Sequence, residues 1–288
     1  MDRDEALVSY VIPCYRSART ISHLVCEIEE TWRAHEECAR FRFEIILVCD
    51  ASPDDTLFVI RRLCETHEEI TGISLNVNVG QHAAIMAGLR HAKGGRIICL
   101  DDDLQTPPAE SIKLLNKLEE GYDVVYAFYP HKRHSAIRNL FTYLNRYSQE
   151  FFFRKPKGIR TSSFFIMRGR VADKVLRYKG PKPYLAALIL RVTKNIASIP
   201  VRHRARTEGR STYNIPRLFA FWWNGVFRFA VRPAMVMRAL RRLFPNPPFL
   251  NGQFFQEPEE TVFHKKTDCN DQNDTGKKPG GIHKGPAV

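Results

Sequence analysis

Apolar and polar positions alternate along residues 7–127 in a way that predicts strands and helices in turn. Short apolar runs rich in β-branched residues predict strands, whereas apolar residues three and four apart, such as Ile21, Leu24, Val25 and Ile28, predict amphipathic helices. This β-α-β-α order favours an α/β fold, with a mainly parallel sheet and helices on both faces. The predicted strands are 7–13, 43–49, 72–77, 97–100 and 123–127, and the predicted helices are 20–39, 54–67, 81–92 and one that begins near Pro107.

Three carboxylates, Asp101, Asp102 and Asp103, directly follow the predicted strand 97–100. In open α/β sheets ligands bind at the carboxyl ends of the strands, and a dense cluster of like charges favours a bound cation. Mg²⁺ and Mn²⁺ take oxygen ligands and often bridge to substrate phosphates. In an extended segment Asp101 and Asp103 face one ion while Asp102 points away. The alternative is a solvated acidic turn before a helix, whose positive amino end also favours acidic residues.

Two further loops are predicted to lie beside this acidic segment. Residues 13–17, 50–56 and 101–105 each follow a predicted strand, so they meet at one edge of a parallel sheet. This arrangement is typical of a nucleotide site. Neither G-x-G-x-x-G nor G-x-x-x-x-G-K-[ST] occurs, so the sequence supports neither a dinucleotide-binding fold nor a P-loop.

Charge is distributed very unevenly along the chain. Residues 1–127 hold 13 Lys and Arg against 22 Asp and Glu, a net charge of −9, whereas residues 128–244 hold 26 against 3, a net charge of +23. A surface that is only solvated normally mixes the two signs. The basic block therefore predicts an anionic partner, which is a nucleic acid, a phosphorylated substrate or an acidic lipid.

Residues 217–244 combine aromatic side chains with arginines that interrupt the apolar run at 228, 232 and 238. No uncharged stretch reaches the roughly 18 residues that a membrane span needs. The segment predicts a basic amphipathic helix of the juxtamembrane type, with a core helix whose arginines face water as the alternative. Residues 245–288 are rich in Pro, Gly and Asn without periodicity and predict a disordered tail. Seven cysteines without a CxxC pair, and an acidic amino terminus unlike a signal peptide, favour a cytoplasmic protein.

Five segments in the right order resemble the family 2 glycosyltransferases with a GT-A fold, and most of all the polyprenyl-phosphate glycosyltransferases of the dolichol-phosphate mannose synthase-like group. Residues 101–108 are similar to the family's D-A-D-L-Q-x-P-P, and residues 48–56 to its V-D-D-G-S-x-D-x-T. The other three are the opening strand and loop at 11–15, the N-x-G-x-x-x-A-x-x-x-G segment at 78–88 and the R-x-x-G-x-S-x-Y segment at 206–213. The resemblance covers about residues 7–237 and implies a GT-A catalytic domain over residues 1–216.

The resemblance also implies roles for particular residues. Asp101, Asp103 and Gln105 would hold a divalent cation and the donor diphosphate, while the nucleotide sugar would contact Pro13, Tyr15, Asp50, Asn78, Gly80, Asp101 and Asp102. The acceptor phosphate would be held by Arg133, Arg138, Thr142, Arg206 and Ser211, and the catalytic group would comprise Asp103, Arg133, Arg138 and Arg206. A phosphate acceptor is already anionic at pH 7, so it needs positioning more than deprotonation, and arginines bind phosphate bidentately.

The function that the resemblance implies is metal-dependent, inverting transfer of a sugar to an undecaprenyl-type phosphate, by an enzyme peripheral to the cytoplasmic leaflet. One alternative is a family 2 enzyme that acts on a hydroxyl of a glycan or a lipid-linked oligosaccharide. That reaction needs a carboxylate base, and residues 128–216 offer Glu150, Asp173 and Glu208. The alternatives of another class are a basic nucleic-acid-binding protein, although no nucleic-acid motif is present, and an inactive homologue.

Three departures from the family pattern accompany the resemblance. Cys49 replaces the first Asp of V-D-D-G-S, and residues 158–164 lack the Asp of D-x-x-S-G-F. Close relatives usually continue into two transmembrane helices after the Arg-Pro near residue 233, whereas this chain becomes Arg-rich and then polar. The sequence leaves open the sugar, the base, the oligomeric state and whether transmembrane helices belong to the protein.

Overall fold

The computed structural model describes residues 3–130, 147, 150–180, 182–204 and 259–264. An eight-stranded sheet forms the centre of this part of the chain, in the order β7-β5-β6-β4-β1-β2-β3-β8. Its strands are β1 (Asp4–Cys14), β2 (Arg42–Asp50), β3 (Ile70–Leu75), β4 (Gly94–Cys99), β5 (Val124–Phe128), β6 (Phe165–Arg168), β7 (Ile196–Pro200) and β8 (Glu260–Phe263).

Six of the eight strands run in one direction. Strand β1 pairs in parallel with β2 and β4, β2 with β3, and β5 with β7. Strand β6 lies between β4 and β5 and is antiparallel to both, and β8 is antiparallel to β3. We call the edge where the six parallel strands end the carboxyl edge, and the opposite one the amino edge.

Helices cover both faces because side chains of successive strand residues point to opposite sides. Tyr10 and Ile12 of β1 pack with α1, α2 and α4, whereas Val11 packs with α3, α5 and α6. Long β-branched runs on the strands are thus buried from both sides, as expected for a parallel sheet. The helices are α1 (Ile21–Ala34), α2 (Thr56–Thr66), α3 (Gln81–His91), α4 (Glu110–Glu119), α5 (Gly169–Val175) and α6 (Leu185–Val192).

Helix α3 packs closely on the middle of the sheet through Gly88. A Cβ atom added at Gly88 would lie 2.5 Å from Val11 Cγ1 and 3.0 Å from Val48 Cγ2. Any larger residue would push α3 away from β1 and β2. The close approach holds the carboxyl half of α3 against β1 and β2.

The prediction of a mainly parallel α/β fold is confirmed, and all five predicted strands and four predicted helices are present with shifted ends. The predicted helix 20–39 ends at Ala34, because His35 takes an extended conformation before a short 3₁₀ turn at Glu36–Cys38. Strands β6 and β7 and helices α5 and α6 were not predicted as separate elements. Each has between four and eight residues, which is too short to show a clear period.

The prediction of a disordered tail over residues 245–288 is wrong for residues 260–263, which form β8. Backbone pairing with β3 stabilises this strand, and ion pairs from Arg90 and His91 to Glu260 hold it in place. These contacts are distant in sequence, so local composition does not reveal them. The predicted helix 217–244 and most of the tail lie outside the described residues.

Candidate active site

Three loops meet at the carboxyl edge, as the sequence predicts. The backbone N–H of Tyr15, after β1, donates a 3.0 Å hydrogen bond to Asp102 Oδ2, after β4. The N–H groups of Arg16 and Ser17 donate 2.8 Å hydrogen bonds to Ser52 Oγ and Thr56 Oγ1, in the loop after β2. The hydroxyl of Ser17 also donates to Asp102. One short segment after β1 therefore ties all three loops together.

Each of these loops contains a residue other than glycine with a positive φ. The values are 59° at Arg16, 47° at Ala51 and 58° at Leu104. Such a conformation costs roughly 1–2 kcal/mol for an L-residue with a Cβ atom, and it persists where the surrounding contacts determine the backbone. Residues of this kind cluster at ligand-binding sites, and here the three lie in the loops predicted to bind the donor.

Asp50 fixes the loop between β3 and α3. Its Oδ1 and Oδ2 accept hydrogen bonds of 2.8 and 2.9 Å from the backbone N–H groups of Val79 and Gly80, and Asn78 Nδ2 donates to its carbonyl oxygen at 3.1 Å. Gly80 has a φ of 85°, which favours glycine. Burial raises the pKa of Asp50, and the two N–H groups partly offset this effect. Each carboxylate oxygen keeps one lone pair that can accept from a ligand.

The acidic triplet lies beside this loop. Asp101 accepts hydrogen bonds from Gln81 Nε2 at 2.6 Å and from the Ser163 hydroxyl, while Asp103 Oδ1 accepts from the Gln105 N–H at 3.2 Å. Burial and then the charges of Asp103 and Asp102 raise the pKa of Asp101 to about 6, against the lowering effect of the two hydrogen-bond donors. Burial also raises the pKa of Asp102. The triplet therefore concentrates negative charge that uncharged donors stabilise only in part.

The oxygen donors of the triplet suit a hard divalent cation, and the mutual repulsion of the carboxylates would fall on binding one. Within the described part of the chain, no three or more His, Cys, Asp or Glu side chains are grouped so that they could hold a metal ion. Mg²⁺ commonly uses only one or two carboxylates together with substrate phosphates. The residues thus fit an ion that is shared with a bound diphosphate. Hydrogen bonds from Tyr15 and Ser17 direct Asp102 to the loop after β1, and the segment is bent at residues 102–104 instead of extended as predicted.

Several residues of the site were absent from the sequence-based set: Ser17, Ser52, Asp54, Thr56, Gln81 and Ser163. Asp54 Oδ1 accepts from the hydroxyls of Ser52 and Thr56, both at 2.6 Å, and these hydrogen bonds lower the pKa of Asp54 although burial opposes them. The D-x-T ending of the segment 48–56 was the sequence signal for Asp54 and Thr56. Ser163 lies in the segment 158–164, which departs from the family pattern, and no local pattern marks it.

The remaining predicted residues fall into two groups. Pro13 is buried at the end of β1, and the side chain of Tyr15 is exposed at the carboxyl edge. The five predicted to hold the acceptor phosphate lie outside the described residues: Arg133, Arg138, Thr142, Arg206 and Ser211. Their role stays a prediction, as does the metal-binding role of Asp101, Asp103 and Gln105.

Known proteins resemble this chain in sequence and in structure. Undecaprenyl-phosphate 4-deoxy-4-formamido-L-arabinose transferase of Shewanella sediminis is 32% identical over 238 residues, which are 80% of this chain and 69% of the relative. Glucosyl-3-phosphoglycerate synthase from Mycobacterium tuberculosis with phosphoglyceric acid has a TM-score of 0.59 at 16% identity, over 78% of this chain and 80% of that one. The same synthase with Mn²⁺, UDP-glucose and phosphoglyceric acid has a TM-score of 0.54 at 17% identity, over 78% of each chain.

The structural likeness establishes the GT-A fold. Residues 9–176 match the sequence model described as Glycosyl transferase family 2, and this stretch contains all three loops of the carboxyl edge. The match covers more than half of the chain. The protein is therefore a glycosyltransferase that belongs to glycosyl transferase family 2.

Proposed function

We propose that the protein transfers a sugar from a nucleotide sugar to a polyprenyl phosphate at the cytoplasmic surface of the membrane. The observation that carries this proposal is the concentration of carboxylates at the carboxyl edge, where buried Asp50 and the half-buried triplet 101–103 lie within one hydrogen-bonded group of loops. A relative of this chain is named undecaprenyl-phosphate 4-deoxy-4-formamido-L-arabinose transferase. Family membership favours this enzyme over the nucleic-acid-binding hypothesis.

The donor would lie across the three loops. Asp50, held by the N–H groups of Val79 and Gly80, would accept hydrogen bonds from the base or ribose, and the exposed ring of Tyr15 offers a face for stacking. Asp101, Asp103 and Gln105 would hold a divalent cation, which when bound supplies positive charge to the departing diphosphate. The buried, mutually repelling carboxylates of Asp101 and Asp102 support this assignment.

A phosphate acceptor suits the second half of the chain better than a hydroxyl acceptor. Of the three carboxylates that could act as a base there, Asp173 accepts a 3.0 Å hydrogen bond from Arg3 Nε. Arg3 also donates to the carbonyl oxygen of Ala92, just beyond the end of α3 at the amino edge. Asp173 therefore lies at the end of the sheet away from Asp101. A phosphate needs no such base, because it already carries negative charge at pH 7 and needs only to be held in line with the sugar.

We further propose contact with an anionic bilayer through an aromatic surface formed by Tyr147, Phe151 and Phe152. The side chains of Tyr147 and Phe151 are each 67% exposed, and their rings stack with centroids 6.3 Å apart beside Phe152. Arg154 and Lys157 are exposed nearby. Aromatic side chains combined with basic ones suit the headgroup region of a negatively charged membrane. None of the helices in the described residues has the length and apolar character that crossing a membrane requires.

The experiment that tests the proposal is a transfer assay with a short-chain polyprenyl phosphate in detergent. The donors are UDP-, GDP- and dTDP-sugars, including UDP-4-deoxy-4-formamido-L-arabinose, with Mn²⁺, with Mg²⁺ or with chelator. Asp103→Ala is the test variant. Asp55→Ala is the matched control, because Asp55 is exposed in the loop after β2 and its side chain makes no capping hydrogen bond to α2.

We expect a glycolipid product that needs the metal, disappears in Asp103→Ala and persists in Asp55→Ala. Metal-dependent binding of a nucleotide without product would contradict the lipid acceptor and favour the glycan hydroxyl. Neither product nor nucleotide binding would favour an inactive homologue.

A further inference from the structure

A cavity of about 180 Å³ lies directly behind Asp101, between the amino ends of α3 and α6. Gln81 and Ser163 both line this cavity, and both donate hydrogen bonds to Asp101. The cavity, which we call the α3–α6 cavity, is therefore adjacent to the acidic triplet. A single water has a share of about 30 Å³ in the liquid, so the space suits a larger group.

Tyr126 of β5 lines the α3–α6 cavity and presents an unusual polar group. Its side chain is 1% exposed, and within the described residues its buried hydroxyl has no hydrogen-bond partner. Tyr10, the other large buried tyrosine of the sheet, lies on the opposite face, where its hydroxyl is bonded to Ser111 at 2.7 Å and to Trp32 Nε1 at 3.1 Å. Buried hydroxyls normally have partners, because leaving one without a partner costs free energy. The position of Tyr126 thus indicates a partner supplied by a ligand.

The remaining walls carry no charged side chain and are mostly apolar, with Ile85, Phe165 and Leu185 beside the hydroxyls of Thr161 and Ser162. No Asp, Glu, Lys or Arg occurs among the described residues that line the cavity. His82 belongs to the wall and is neutral at pH 7, since burial lowers its pKa to about 4. Its ring packs edge-on against Tyr184, with centroids 5.5 Å apart, and thereby joins α3 to the start of α6. Aromatic faces with hydroxyl and amide groups suit a sugar ring, whereas a carboxylate buried here would have no cation beside it.

We propose that the α3–α6 cavity receives the sugar of the donor and that the Tyr126 hydroxyl hydrogen-bonds to an uncharged polar substituent of that sugar. The inference rests on the proposed function, because the sugar is bonded directly to the diphosphate that the acidic triplet would hold. The bond between sugar and diphosphate places the sugar close to Asp101. Gln81 and Ser163 contact Asp101 and also line the cavity. Tyr126 is then a residue that determines donor specificity, and it takes no part in bond breaking.

The test measures binding, so it does not depend on the acceptor. Dissociation constants are determined with Mn²⁺ for UDP-glucose, GDP-mannose and dTDP-glucose, and for the matching free UDP, GDP and dTDP. Tyr126→Phe removes one hydroxyl and keeps the ring. Tyr10→Phe is the matched control, since it removes a buried hydroxyl from the opposite face of the same sheet.

For Tyr126→Phe we expect the nucleotide sugar that the wild type binds best to bind about five- to tenfold more weakly, with binding of its free diphosphate unchanged. The unfolding midpoint without ligand should stay the same or rise, because the buried hydroxyl has no protein partner to lose within the described structure. Tyr10→Phe should lower the unfolding midpoint and leave both dissociation constants unchanged. An equal effect of Tyr126→Phe on sugar nucleotide and diphosphate, or no effect on either, would overturn the inference.

Two further measurements separate this inference from the proposed function. Ala186→Leu places a larger side chain in the wall of the cavity and should abolish the extra affinity due to the sugar while free diphosphate still binds. The uronate of the preferred donor, such as UDP-glucuronate beside UDP-glucose, should bind at least about tenfold more weakly than the neutral sugar. If the free diphosphate binds and the sugar adds no affinity, only the role of the cavity is overturned. Absence of all nucleotide binding would remove the proposed function as well.

Discussion

The two edges of the sheet both carry many charged residues, but Glu119 and Asp123 at the amino edge differ from Asp50 and Asp101 at the carboxyl edge in their hydrogen-bond donors and in the direction of their pKa shifts. At the amino edge, Glu119 receives two hydrogen bonds from Arg96, at 2.8 and 2.9 Å, and Asp123 receives one of 2.6 Å from Arg170. Arg96 lowers the pKa of Glu119, and although burial opposes it, hydrogen bonds from Thr193 and then Arg170 lower the pKa of Asp123. At the carboxyl edge, the hydrogen bonds to Asp50 and Asp101 come from uncharged donors, and the pKa values of both are raised.

This difference indicates that the carboxylates of the amino edge stabilise the fold, whereas those of the carboxyl edge are available to a ligand. Carboxylates matched by arginines contribute to stability, because the charged form is favoured in the folded state. Buried carboxylates with raised pKa values cost stability, and such groups cluster at functional sites. The raised pKa values of Asp50 and Asp101 therefore support the proposed binding role of the carboxyl edge.

The largest effect that sharpens this contrast is expected for one pair of variants. Asp101→Asn removes a buried charge from the carboxyl edge, so we expect transfer to fall about 100-fold or more while the free energy of unfolding stays the same or rises slightly. Asp123→Asn should keep activity but lose about 1 kcal/mol of stability, because the charge that pairs with Arg170 is gone. Transfer assays and urea unfolding of the two variants provide the measurement.

The informative result is that one variant loses activity but not stability, while the other loses stability but not activity. If Asp101→Asn lost stability and kept activity, the acidic triplet would be structural, and the contrast between the edges would fail. Thr193 donates a hydrogen bond to Asp123 that an asparagine can still accept, so Asp123→Asn tests the charge more than the local geometry.

The next effect concerns helix α3, which runs from one edge to the other. Gly88→Ala should lower the free energy of unfolding by about 1–2 kcal/mol, because the added Cβ would lie 2.5 Å from Val11 Cγ1, and this exceeds the gain in helix propensity. Urea unfolding provides the measurement. Adding Val11→Ala makes room for the new methyl group, so the double variant should lose less than the two single losses combined. Strictly additive losses would show that the two side chains do not compete for space.

The sequence predicts the first half of the fold well because its information there is local. The strands up to Phe128 have long apolar runs, and the intervening helices have a clear apolar face, so each element is visible by itself. The convergence of the loops after β1, β2 and β4 then follows from the direction of the parallel strands. Asp50, Asn78 and Gly80 were assigned through the family resemblance, and the structure places them in one hydrogen-bonded group.

The rest of the fold depends on contacts that the local pattern does not encode. Strand β6 enters the sheet between β4 and β5 as four residues, and β8 pairs with β3 from almost 190 residues away. Ser163 reaches Asp101 only because β6 is antiparallel and brings its preceding loop to the carboxyl edge. Tyr126 resembles any core tyrosine in the sequence, and only the three-dimensional arrangement shows that its hydroxyl has no described partner.

A smaller effect is expected in the pH dependence of stability at the amino edge. The hydrogen bond from Arg96 holds the pKa of Glu119 below its usual range, so its contribution to stability is fully present above the unfolded pKa of about 4.3. It is lost as pH falls through the lower folded pKa. The stability advantage of the wild type over Glu119→Gln should therefore be largest at pH 7 and shrink below about pH 4.

Urea unfolding from pH 7 to pH 3 provides this measurement. Glu120→Gln is the neighbouring control, because Glu120 is exposed and contacts Lys117 on the surface, so its removal should change stability little at any pH. A difference between wild type and Glu119→Gln that stays constant down to pH 3 would contradict the charged interaction at the amino edge.

The smallest effect concerns Ala51, which stands at the position of the glycine in V-D-D-G-S and has a φ of 47°. Ala51→Gly should raise the free energy of unfolding by about 0.5 kcal/mol, since relief of the Cβ contact exceeds the added flexibility of the unfolded chain. Exposed Ala39, with a φ of −57°, is the matched control, and Ala39→Gly should lower stability instead. Thermal or urea unfolding of both variants checks the opposite signs. A loss in both would show that the conformation at Ala51 carries no cost, and that the loops of the carboxyl edge differ from the amino edge in charge but not in backbone strain.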